Sequence, residues 1–318
     1  MPKKTHVEQG PMLLVKAFRV LYLLVGSLCL VNLIGCMNIN NLEVEKHSEK
    51  DWAVTCKDWD DWDKMGPPFK IYGNSYYVGT CGIASILITG KSGHILIDGG
   101  TEAGAKLVAK NIKALGFSIN DVKILLHSHE HFDHVAGLAD LQSLSGAKLL
   151  ASSQAALVLR TGVAIDIDPQ AGMHNPFPAS RVDGIVMNGK KVVLDDLSLT
   201  PLATPGHTPG ALTWQWQSCE NKQCVYIVYA DSLSPISHDT YHFSDHPDYV
   251  NAYQEGLNQL AELNCDILVT PHPSASDMRK RLSGTNGLIN PQGCRMYANK
   301  IKQRLSQRLA KEIKLLTQ

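Results

Sequence analysis

Short apolar runs separated by longer amphipathic segments recur along the chain, and this pattern predicts alternating strands and helices. From Ile71 to Asp98, β-branched runs broken by Gly and Asn predict an antiparallel meander. Further buried strands are predicted at Val122–Leu126, Lys148–Ala151 and Asp266–Val269. Helices are predicted at Ala103–Leu115, Val135–Leu141, Ser153–Arg160, Pro247–Leu263 and Pro291–Leu316. The succession indicates a mixed α/β protein.

Two segments outside these elements bear on a binding site. The stretch from Thr161 to Val182 is rich in Gly, Pro and Asp and is too long for a simple connection, so we expect it to form a wall of a substrate groove. Trp59 and Trp62 lie in an Asp-rich segment before the first strand. They can either pack on the body or border the site, and we expect packing.

Composition and charge limit the classes of partner. The 318 residues are 44% apolar, which is enough for one large core or two small ones, and the formal net charge is zero. Because the chain has no continuous block of like charges, nucleic acid is not an expected partner. The basic face of the terminal helix is expected to be solvated surface.

A dense group of metal-ligand side chains follows the predicted strand Val122–Leu126. The spacing is H-x-H-x-D-H, formed by His129, His131, Asp133 and His134. Because alternate residues of an extended segment point the same way, His129 and His131 can reach one ion, while Asp133 and His134 turn toward a second. Imidazole and carboxylate without thiolate suit Zn²⁺. The run predicts a metal centre at the carboxyl end of a strand, where open α/β sheets bind ligands.

Two further histidines follow strand-like runs and can complete two sites. His207 lies in the Pro/Gly-rich turn 204–210, and His272 follows the predicted strand Asp266–Val269. A catalytic zinc takes three protein ligands and a water, so each of these histidines supplies a missing ligand. His127 is set aside because it lies at the strand end and the ligand set is complete without it.

These residues together resemble the class B metallo-β-lactamases, and within them the third subclass, whose two zinc sites are His/His/His and Asp/His/His. The resemblance runs from about Pro68 to the C-terminal helix. H-x-H-x-D-H alone marks only the wider superfamily, and further matching segments make the resemblance more specific. These segments are Tyr76–Gly79, Gly93–Gly100, Tyr229–Leu233 and Thr270–Ser276.

The resemblance implies two Zn²⁺ ions per chain and a ligand set for each. The first set is His129, His131 and His207, and the second is Asp133, His134 and His272. Ser232 stands where sister subclasses have a zinc-binding cysteine. Because a neutral hydroxyl is a poor zinc ligand, His134 is needed to complete the second site.

The resemblance also implies an activity, the hydrolysis of the β-lactam amide in penicillins, cephalosporins and carbapenems, which gives antibiotic resistance. The two zincs would hold a hydroxide for attack on the carbonyl carbon. Asp133 would fix the second zinc and orient the hydroxide. Ser232 and Ser234 are candidates for contacts with the substrate carboxylate or a metal-bound water, although Ser234 can equally be an ordinary loop serine. Glu130 should point away from the metals and bond to backbone or to a ligand histidine.

The fold that the resemblance implies is a four-layer αβ/βα sandwich of the α/β class, with the metals at the edge between two sheets. Strand-rich and helix-bearing halves of similar order agree with it. The expected organisation is a signal peptide at 1–35, a mature leader at 36–67 and one catalytic domain at 68–318. We expect a monomer.

The first residues have the pattern of a bacterial export signal. Basic residues flank the apolar run Val20–Val31, which is shorter than the about 20 residues of a membrane-spanning helix. The run leads to Leu33-Ile34-Gly35-Cys36, which is similar to a lipobox, so Cys36 would be lipidated and become the first mature residue. The alternative is a cleaved signal peptide without lipid, and translation can start at Met1 or Met12. We expect a periplasmic protein whose membrane attachment is a lipid anchor at Cys36.

Six cysteines remain beyond Cys29 and Cys36, and an even number in an exported protein predicts disulfides. Cys219 and Cys224 flank a polar turn between two strand-like runs, where a hairpin bridge is natural. Six cysteines allow 15 pairings. From these, the family resemblance selects Cys56–Cys81, Cys219–Cys224 and Cys265–Cys294. Metal binding by these cysteines is disfavoured because none has zinc-knuckle spacing.

Two other functions are compatible with the fold. A thioester or lactone hydrolase similar to hydroxyacylglutathione hydrolase would use an aspartate bridging both metals, and Asp231 stands in a similar context. The export signal and the predicted disulfides argue against such a cytosolic enzyme. A non-catalytic binding protein would have lost at least one ligand, and here none is missing.

Overall fold

The first sheet contains strands β1 to β7 in chain order. The computed structural model describes residues 48–316, and side chains only up to residue 314. Strands β1 to β4 are antiparallel, as predicted for the meander, and β4 to β7 are parallel. The strands are β1 Phe69–Tyr72, β2 Ser75–Tyr77, β3 Ile86–Gly90, β4 Gly93–Ile97, β5 Val122–Leu126, β6 Lys148–Ala151 and β7 Val182–Ile185.

The second sheet has the strand order β12-β11-β10-β9-β8. Its strands pair antiparallel except for β11 and β12, which are parallel. The strands are β8 Val192–Leu194, β9 Leu197–Ala203, β10 Leu212–Glu220, β11 Gln223–Tyr229 and β12 Ile267–Val269. The carboxyl end of β12 therefore lies beside that of β11, which brings the segments after both strands to one edge.

Most of the helices cover the outer faces of the two sheets, and two short ones, Glu49–Thr55 and Met278–Leu282, pack on the central cluster between the sheets. They are α1 Glu49–Thr55, α2 Glu102–Ala114, α3 Phe132–Val135, α4 Leu138–Ser145, α5 Ser153–Thr161, α6 Pro247–Glu262, α7 Met278–Leu282 and α8 Gly293–Leu316. Short 3₁₀ turns are Ile119–Asp121, Phe243–Asp245 and Pro273–Ser276. Within the described residues, no helix is both long enough and apolar enough to cross a bilayer.

Three apolar clusters define the layers. The central cluster joins the inner faces of the two sheets, for example Ile88 and Ile97 with Trp214 and Tyr229. A second cluster packs α2, α4 and α5 on the outer face of the first sheet, and a third packs α6 and α8 on the outer face of the second. Because each sheet is covered on both faces, the parallel strands are nearly continuous apolar runs. The predicted four-layer αβ/βα sandwich is confirmed.

The helix predicted at Val135–Leu141 is wrong in its bounds, because two shorter helices occupy the region. Helix α3 begins within the ligand run, and α4 begins only after Gly137. At Gly137 the chain passes so close to Gly99 that an added Cβ would lie 2.4 Å from the Gly99 carbonyl oxygen. The Gly137 N–H donates to the carbonyl of Gly100 at 3.0 Å. This close approach redirects the chain and separates the two helices.

The described part of the predicted leader packs against the core. Ser48 caps α1 through its hydroxyl, and Trp52 of α1 is 1% exposed. The Trp52 ring meets Tyr77 edge-on at 5.6 Å. The predicted signal peptide and the candidate lipidation residue Cys36 lie outside the described residues.

The disulfide pairing that the family resemblance selected is confirmed. The bridges are Cys56–Cys81, Cys219–Cys224 and Cys265–Cys294. The first ties the leader to the loop after β2, and the second closes the β10–β11 hairpin. The third joins Cys265, two positions before β12, to the start of α8, so it supports the strand that leads to His272.

Removal of the third bridge should destabilise the fold more than removal of the hairpin bridge. The closed loops span 29 and 5 residues. On the loop-entropy model these contribute about 3.6 and about 2 kcal/mol of unfolding free energy. We therefore expect Cys265→Ala/Cys294→Ala to lower the free energy of unfolding by about 1.5 kcal/mol more than Cys219→Ala/Cys224→Ala, measured by urea unfolding. Equal losses would contradict the loop-length argument.

Candidate metal centre

The ligand run lies where strand β5 gives way to helix α3. Residues up to His131 remain extended, with φ −79° and ψ 148° at His131, and the chain then turns into α3. His129 and His131 therefore project from an extended segment, whereas Asp133 and His134 project from the first turn of a helix. This change in backbone direction lets one short run face two neighbouring positions.

The other two predicted ligands arrive from the second sheet. His207 follows β9 in a tight turn, where Gly206 has φ 155° and an added Cβ would lie 2.3 Å from the Tyr253 ring. His272 follows β12 and begins the 3₁₀ turn Pro273–Ser276. Its side chain is 21% exposed, whereas the five other predicted ligands are buried. The site thus opens on the side of His272.

The predicted ligand atoms converge in two adjoining groups. Ligand atoms of His129, His131 and His207 lie within 4.8 Å of one another. In the second group, Oδ2 of Asp133 lies 3.0 Å from Nε2 of His134 and 3.3 Å from Nε2 of His272. The two Nε2 atoms of His134 and His272 are 3.3 Å apart. His129 also lies near Asp133 and His134, so the groups share an edge.

Carboxylates contact the far sides of three of these imidazoles. Nδ1 of His129 lies 2.8 Å from Oδ1 of Asp231, and Nδ1 of His134 lies 3.7 Å from Oδ2 of Asp98. Nε2 of His131 bonds to Oδ2 of Asp168 at 3.2 Å. At His131 the contact is a hydrogen bond, which fixes ring orientation and leaves the other nitrogen for a metal. At His129 and His134 the carboxylates are close charged neighbours, since Oδ1 of Asp231 and Nδ1 of His134 make no hydrogen bond among the described residues.

The fourth imidazole is oriented by backbone. Nδ1 of His207 donates to the carbonyl oxygen of Ser234 at 2.9 Å. His129 supplies a test of fit for a metal, because its buried Nε2 has no hydrogen-bond partner among the described residues. A buried nitrogen without a partner is costly unless a ligand satisfies it. The nitrogen and carboxylate donors fit zinc.

The pKa shifts of three ligand residues favour the forms that bind a metal, whereas Asp168 and Asp133 outweigh burial and raise the pKa of His131 and of His134. Burial lowers the pKa of His129 and of His207 well below the usual value, which favours neutral imidazole. Burial alone would raise the pKa of Asp133, but the neighbouring His134 and His272 outweigh it and hold that pKa well below its usual range. Neutral imidazole and ionised carboxylate are the forms that bind metals.

Two polar residues near the ligands, Glu130 and His127, have structural contacts instead. Glu130 accepts hydrogen bonds from the Thr208 hydroxyl at 2.6 Å and the Gly210 N–H at 2.7 Å, so it holds the turn that carries His207. Burial raises the pKa of Glu130 to about 7. Its predicted orientation away from the metals is confirmed. His127 accepts a hydrogen bond from the Ser152 N–H at 3.1 Å and is outside the ligand group.

The two candidate substrate-contact serines lie beside the ligands but differ in their contacts. The Ser232 hydroxyl is buried and has no hydrogen-bond partner among the described residues. The Ser234 hydroxyl lies 3.3 Å from Nδ1 of His207. Ser234 thus contacts a predicted ligand through both its side chain and its carbonyl.

The expectation that Trp59 and Trp62 pack on the body is wrong, because both border the site. Their rings lie 6.3 and 6.4 Å from the His272 ring, and their exposures are 71% and 39%. The Trp59 N–H donates to the Ser274 hydroxyl at 2.7 Å, which holds the segment beside the site. Sequence spacing carried no information about this contact, which spans more than two hundred residues.

The long segment after α5 forms another wall, as predicted. Asp168 and Gln170 contact His131 and His207, and the His174 ring lies 5.4 Å from that of His131. Sequence reasoning assigned no orienting role to these three aspartates, although it named Asp231 as a candidate bridging ligand of the alternative hydrolase. For Asp98 and Asp231 a signal existed, because each follows a strand whose carboxyl end lies at the site edge. Asp168 lies in an irregular loop and had no such signal.

A comparison with known proteins agrees with this fold and site. The family model described as the metallo-beta-lactamase superfamily matches residues 78–272. The chain therefore belongs to the metallo-beta-lactamase superfamily, and the family and the donor set together imply zinc.

Solved structures narrow the assignment. The MIM-2 metallo-beta-lactamase is 59% identical, over 83% of this chain and 98% of that chain, with a TM-score of 0.81. SMB-1 bound to 2-mercaptoethanesulfonate is 43% identical, over 80% and 100%, with a TM-score of 0.76. MEM-A1, a subclass B3 enzyme from a soil metagenome library, is 39% identical, over 80% and 99%, with a TM-score of 0.76. Within the superfamily the chain belongs to subclass B3, as its sequence indicated.

Loss of an orienting carboxylate should weaken metal binding without unfolding the protein. Asp231→Asn keeps the shape of the side chain but removes the charge beside His129. We expect zinc affinity to fall about 10- to 100-fold, measured by competition with a chelator. Asp239→Asn, at an exposed position, is the matched control. Unchanged affinity in Asp231→Asn would show that the contact does not support a metal ligand.

Proposed function

We propose that this chain is a zinc-dependent hydrolase of the β-lactam amide, which would give antibiotic resistance. The observation that carries the proposal is the convergence of six nitrogen and carboxylate donors at one sheet edge, with none of the set missing. The subclass B3 relatives support the substrate class. We expect penicillins, cephalosporins and carbapenems among the substrates.

We assign two zinc ions per chain. The first is assigned to His129, His131 and His207, and the second to Asp133, His134 and His272. His272 is preferred to His129 for the second set because its Nε2 lies 3.3 Å from both Asp133 and His134. Bound zinc would supply Lewis acidity toward the carbonyl oxygen and a lowered pKa for water.

The chain's own residues would orient the reactants. Hydrolysis adds the hydroxyl of water to the carbonyl carbon, breaks the carbon–nitrogen bond and delivers a proton to the amide nitrogen. The ionised Asp133 carboxylate can accept a hydrogen bond from the attacking water and orient it. The Ser232 hydroxyl, which lacks a hydrogen-bond partner among the described residues, can donate to the substrate carboxylate. Ser234 is a second candidate for that contact.

We also propose that the protein is exported to the periplasm and anchored through a lipid on Cys36, as a monomer. The export-type segment and lipobox-like sequence support this location. The three disulfides agree with an oxidising compartment.

The thioester hydrolase alternative has less support. In that class an aspartate would bridge both metals, and Asp231 was the candidate. Its Oδ1 lies instead 2.8 Å from Nδ1 of His129, the nitrogen on the far side of the ring from the unpartnered Nε2. This contact suits an orienting carboxylate better than a bridging ligand.

Turnover of nitrocefin should depend on zinc. We expect the zinc-loaded protein to hydrolyse it, a chelator to abolish the reaction and added zinc to restore it. A glutathione thioester, assayed in parallel, should not be hydrolysed. Zinc-replete protein that leaves nitrocefin intact would defeat the proposal, and selective thioester turnover would favour the alternative.

Replacement of His272 should remove one of the two metals. We expect His272→Ala to lower the zinc content from about two to about one per chain and to lower kcat on the order of 100-fold or more, because transition-state charge loses a stabilising ion. Metal analysis and steady-state kinetics measure both. His246→Ala, at an exposed histidine outside the cluster, is the control. Two zincs retained in His272→Ala would refute its role as a ligand.

A further inference from the structure

The zero net charge of the chain conceals a strong segregation of charge. Residues 278–316 contain ten Lys and Arg against one acidic residue, Glu312. Residues 48–277 contain fifteen basic and twenty-six acidic residues. The formal charges are therefore +9 and −11 for these two parts. The basic part consists of α7, α8 and the loop between them.

The basic side chains of α8 are not distributed evenly around the helix. One face packs on α6 and β12 through Cys294, Ile301 and Leu305. Lys300, Arg304 and Lys311 recur at intervals of four and seven residues, so they lie on one flank of the helix, and all three are exposed.

A groove of about 810 Å³ continues this flank between α7, the loop 283–291 and the start of α8. Lys280, Arg281 and Lys300 line it, and Asp277 is the acidic residue among its walls. The Arg281 guanidinium donates to the carbonyls of Leu268 and Leu288 at 2.9 and 2.8 Å. The groove and the helix flank together form one surface, the basic face, defined by Lys280, Arg281, Lys300, Arg304 and Lys311.

Ion pairing within the protein does not neutralise this face. Other basic residues of the same segments do have carboxylate partners, namely Arg279 with Asp58, Arg295 with Glu262 and Arg308 with Glu312. Among the described residues, no carboxylate lies within 4.0 Å of the side-chain nitrogens of the five residues of the basic face. Within this described part of the chain, the charges of the basic face are therefore unpaired, as is that of Lys302 on the other side of α8.

The chain enters the described structure beside the groove. An added Cβ at Gly287, in the groove wall, would lie 3.4 Å from the carboxylate of Glu49, near the first described residue. Eleven residues separate Cys36 from Ser48. Even fully extended they span at most about 40 Å, so a lipid on Cys36 would keep the groove rim within that distance of a bilayer.

We propose that the basic face binds the surface of an anionic phospholipid bilayer. A polybasic patch adds electrostatic attraction to the attachment that a lipid anchor provides. Each Lys or Arg near such a surface contributes about 1 kcal/mol, which corresponds to about fivefold in a partition coefficient. At physiological salt the attraction extends about 8 Å, so it requires the face to lie against the headgroups. The proposal goes beyond β-lactam hydrolysis and does not depend on it.

A vesicle-binding experiment tests the face without the lipid anchor. The chain from Met37 onward contains the whole compact unit Val44–Gln318 and lacks Cys36. Its sedimentation is measured with vesicles of phosphatidylcholine alone and with vesicles containing phosphatidylglycerol. The test variant is Lys300→Gln/Arg304→Gln/Lys311→Gln. The matched control, Lys106→Gln/Lys190→Gln/Lys191→Gln, removes the same charge at exposed positions elsewhere.

We expect salt-sensitive binding to the phosphatidylglycerol vesicles and none to phosphatidylcholine. The test variant should bind about 100-fold more weakly, since three charges are removed, while the control binds nearly as well as the parent. Equal loss in both variants, or no binding to anionic vesicles, would overturn the proposal. Displacement by millimolar inorganic phosphate or tighter binding to heparin or DNA would also overturn it, because the ligand would then not be a bilayer.

Nitrocefin turnover of both variants distinguishes this proposal from the proposed function. None of the six substituted residues touches the metal centre, so turnover and zinc content should match the parent. If the test variant loses vesicle binding but keeps full nitrocefin turnover, the result supports membrane binding by the basic face independently of the catalytic activity. If the parent and both variants fail to hydrolyse nitrocefin while the parent still binds vesicles, the hydrolase proposal is wrong and the proposal of a membrane-binding face is unaffected.

Discussion

The burial of imidazole rings between the carboxyl ends of two sheets is the constraint on which the site depends. A buried imidazole is costly unless both nitrogens have partners. Asp98, Asp168 and Asp231 contact one side of three rings, which leaves the opposite nitrogens facing one another. Asp98 and Asp231 follow strands, and Asp168 lies in the loop after α5 that borders the metal centre. Fold and site are therefore coupled: the strand ends that close the core also position the groups that orient the ligands.

Segments far apart in the chain enclose this centre from two sides. The leader, bridged to the body at Cys56–Cys81, brings Trp59 and Trp62 beside His272. The loop after α5 closes the opposite side with His174. Exposed indole rings beside a metal centre offer apolar area for a ligand. These walls can thus set substrate preference while the ligand group stays fixed.

The segregation of charge separates two surfaces with different physical character. The acidic part of the chain contains the metal centre and its orienting carboxylates, which is consistent with a site that binds cations. The basic part is built from α7, which packs on the central cluster, and α8, which covers the outer face of the second sheet. The charges of the two parts nearly cancel in the total. A net charge of zero therefore excludes neither cation binding by the acidic part nor contact of the basic part with an anionic surface.

The sequence by itself determined the ligand run, the strands that precede it, and the disulfide pairing and sandwich fold that the family resemblance implied. The ligand run and the strands follow from local spacing and from apolar periodicity, which a single chain displays directly. The disulfide pairing and the fold followed from the family resemblance, because spacing alone left 15 pairings open. Only the tertiary structure decided that Trp59 borders His272, that Asp168 orients His131, and that the helix after the ligand run breaks at Gly137. Each of these depends on a contact between segments distant in sequence, and such contacts exist only once both sheets have packed on their shared core.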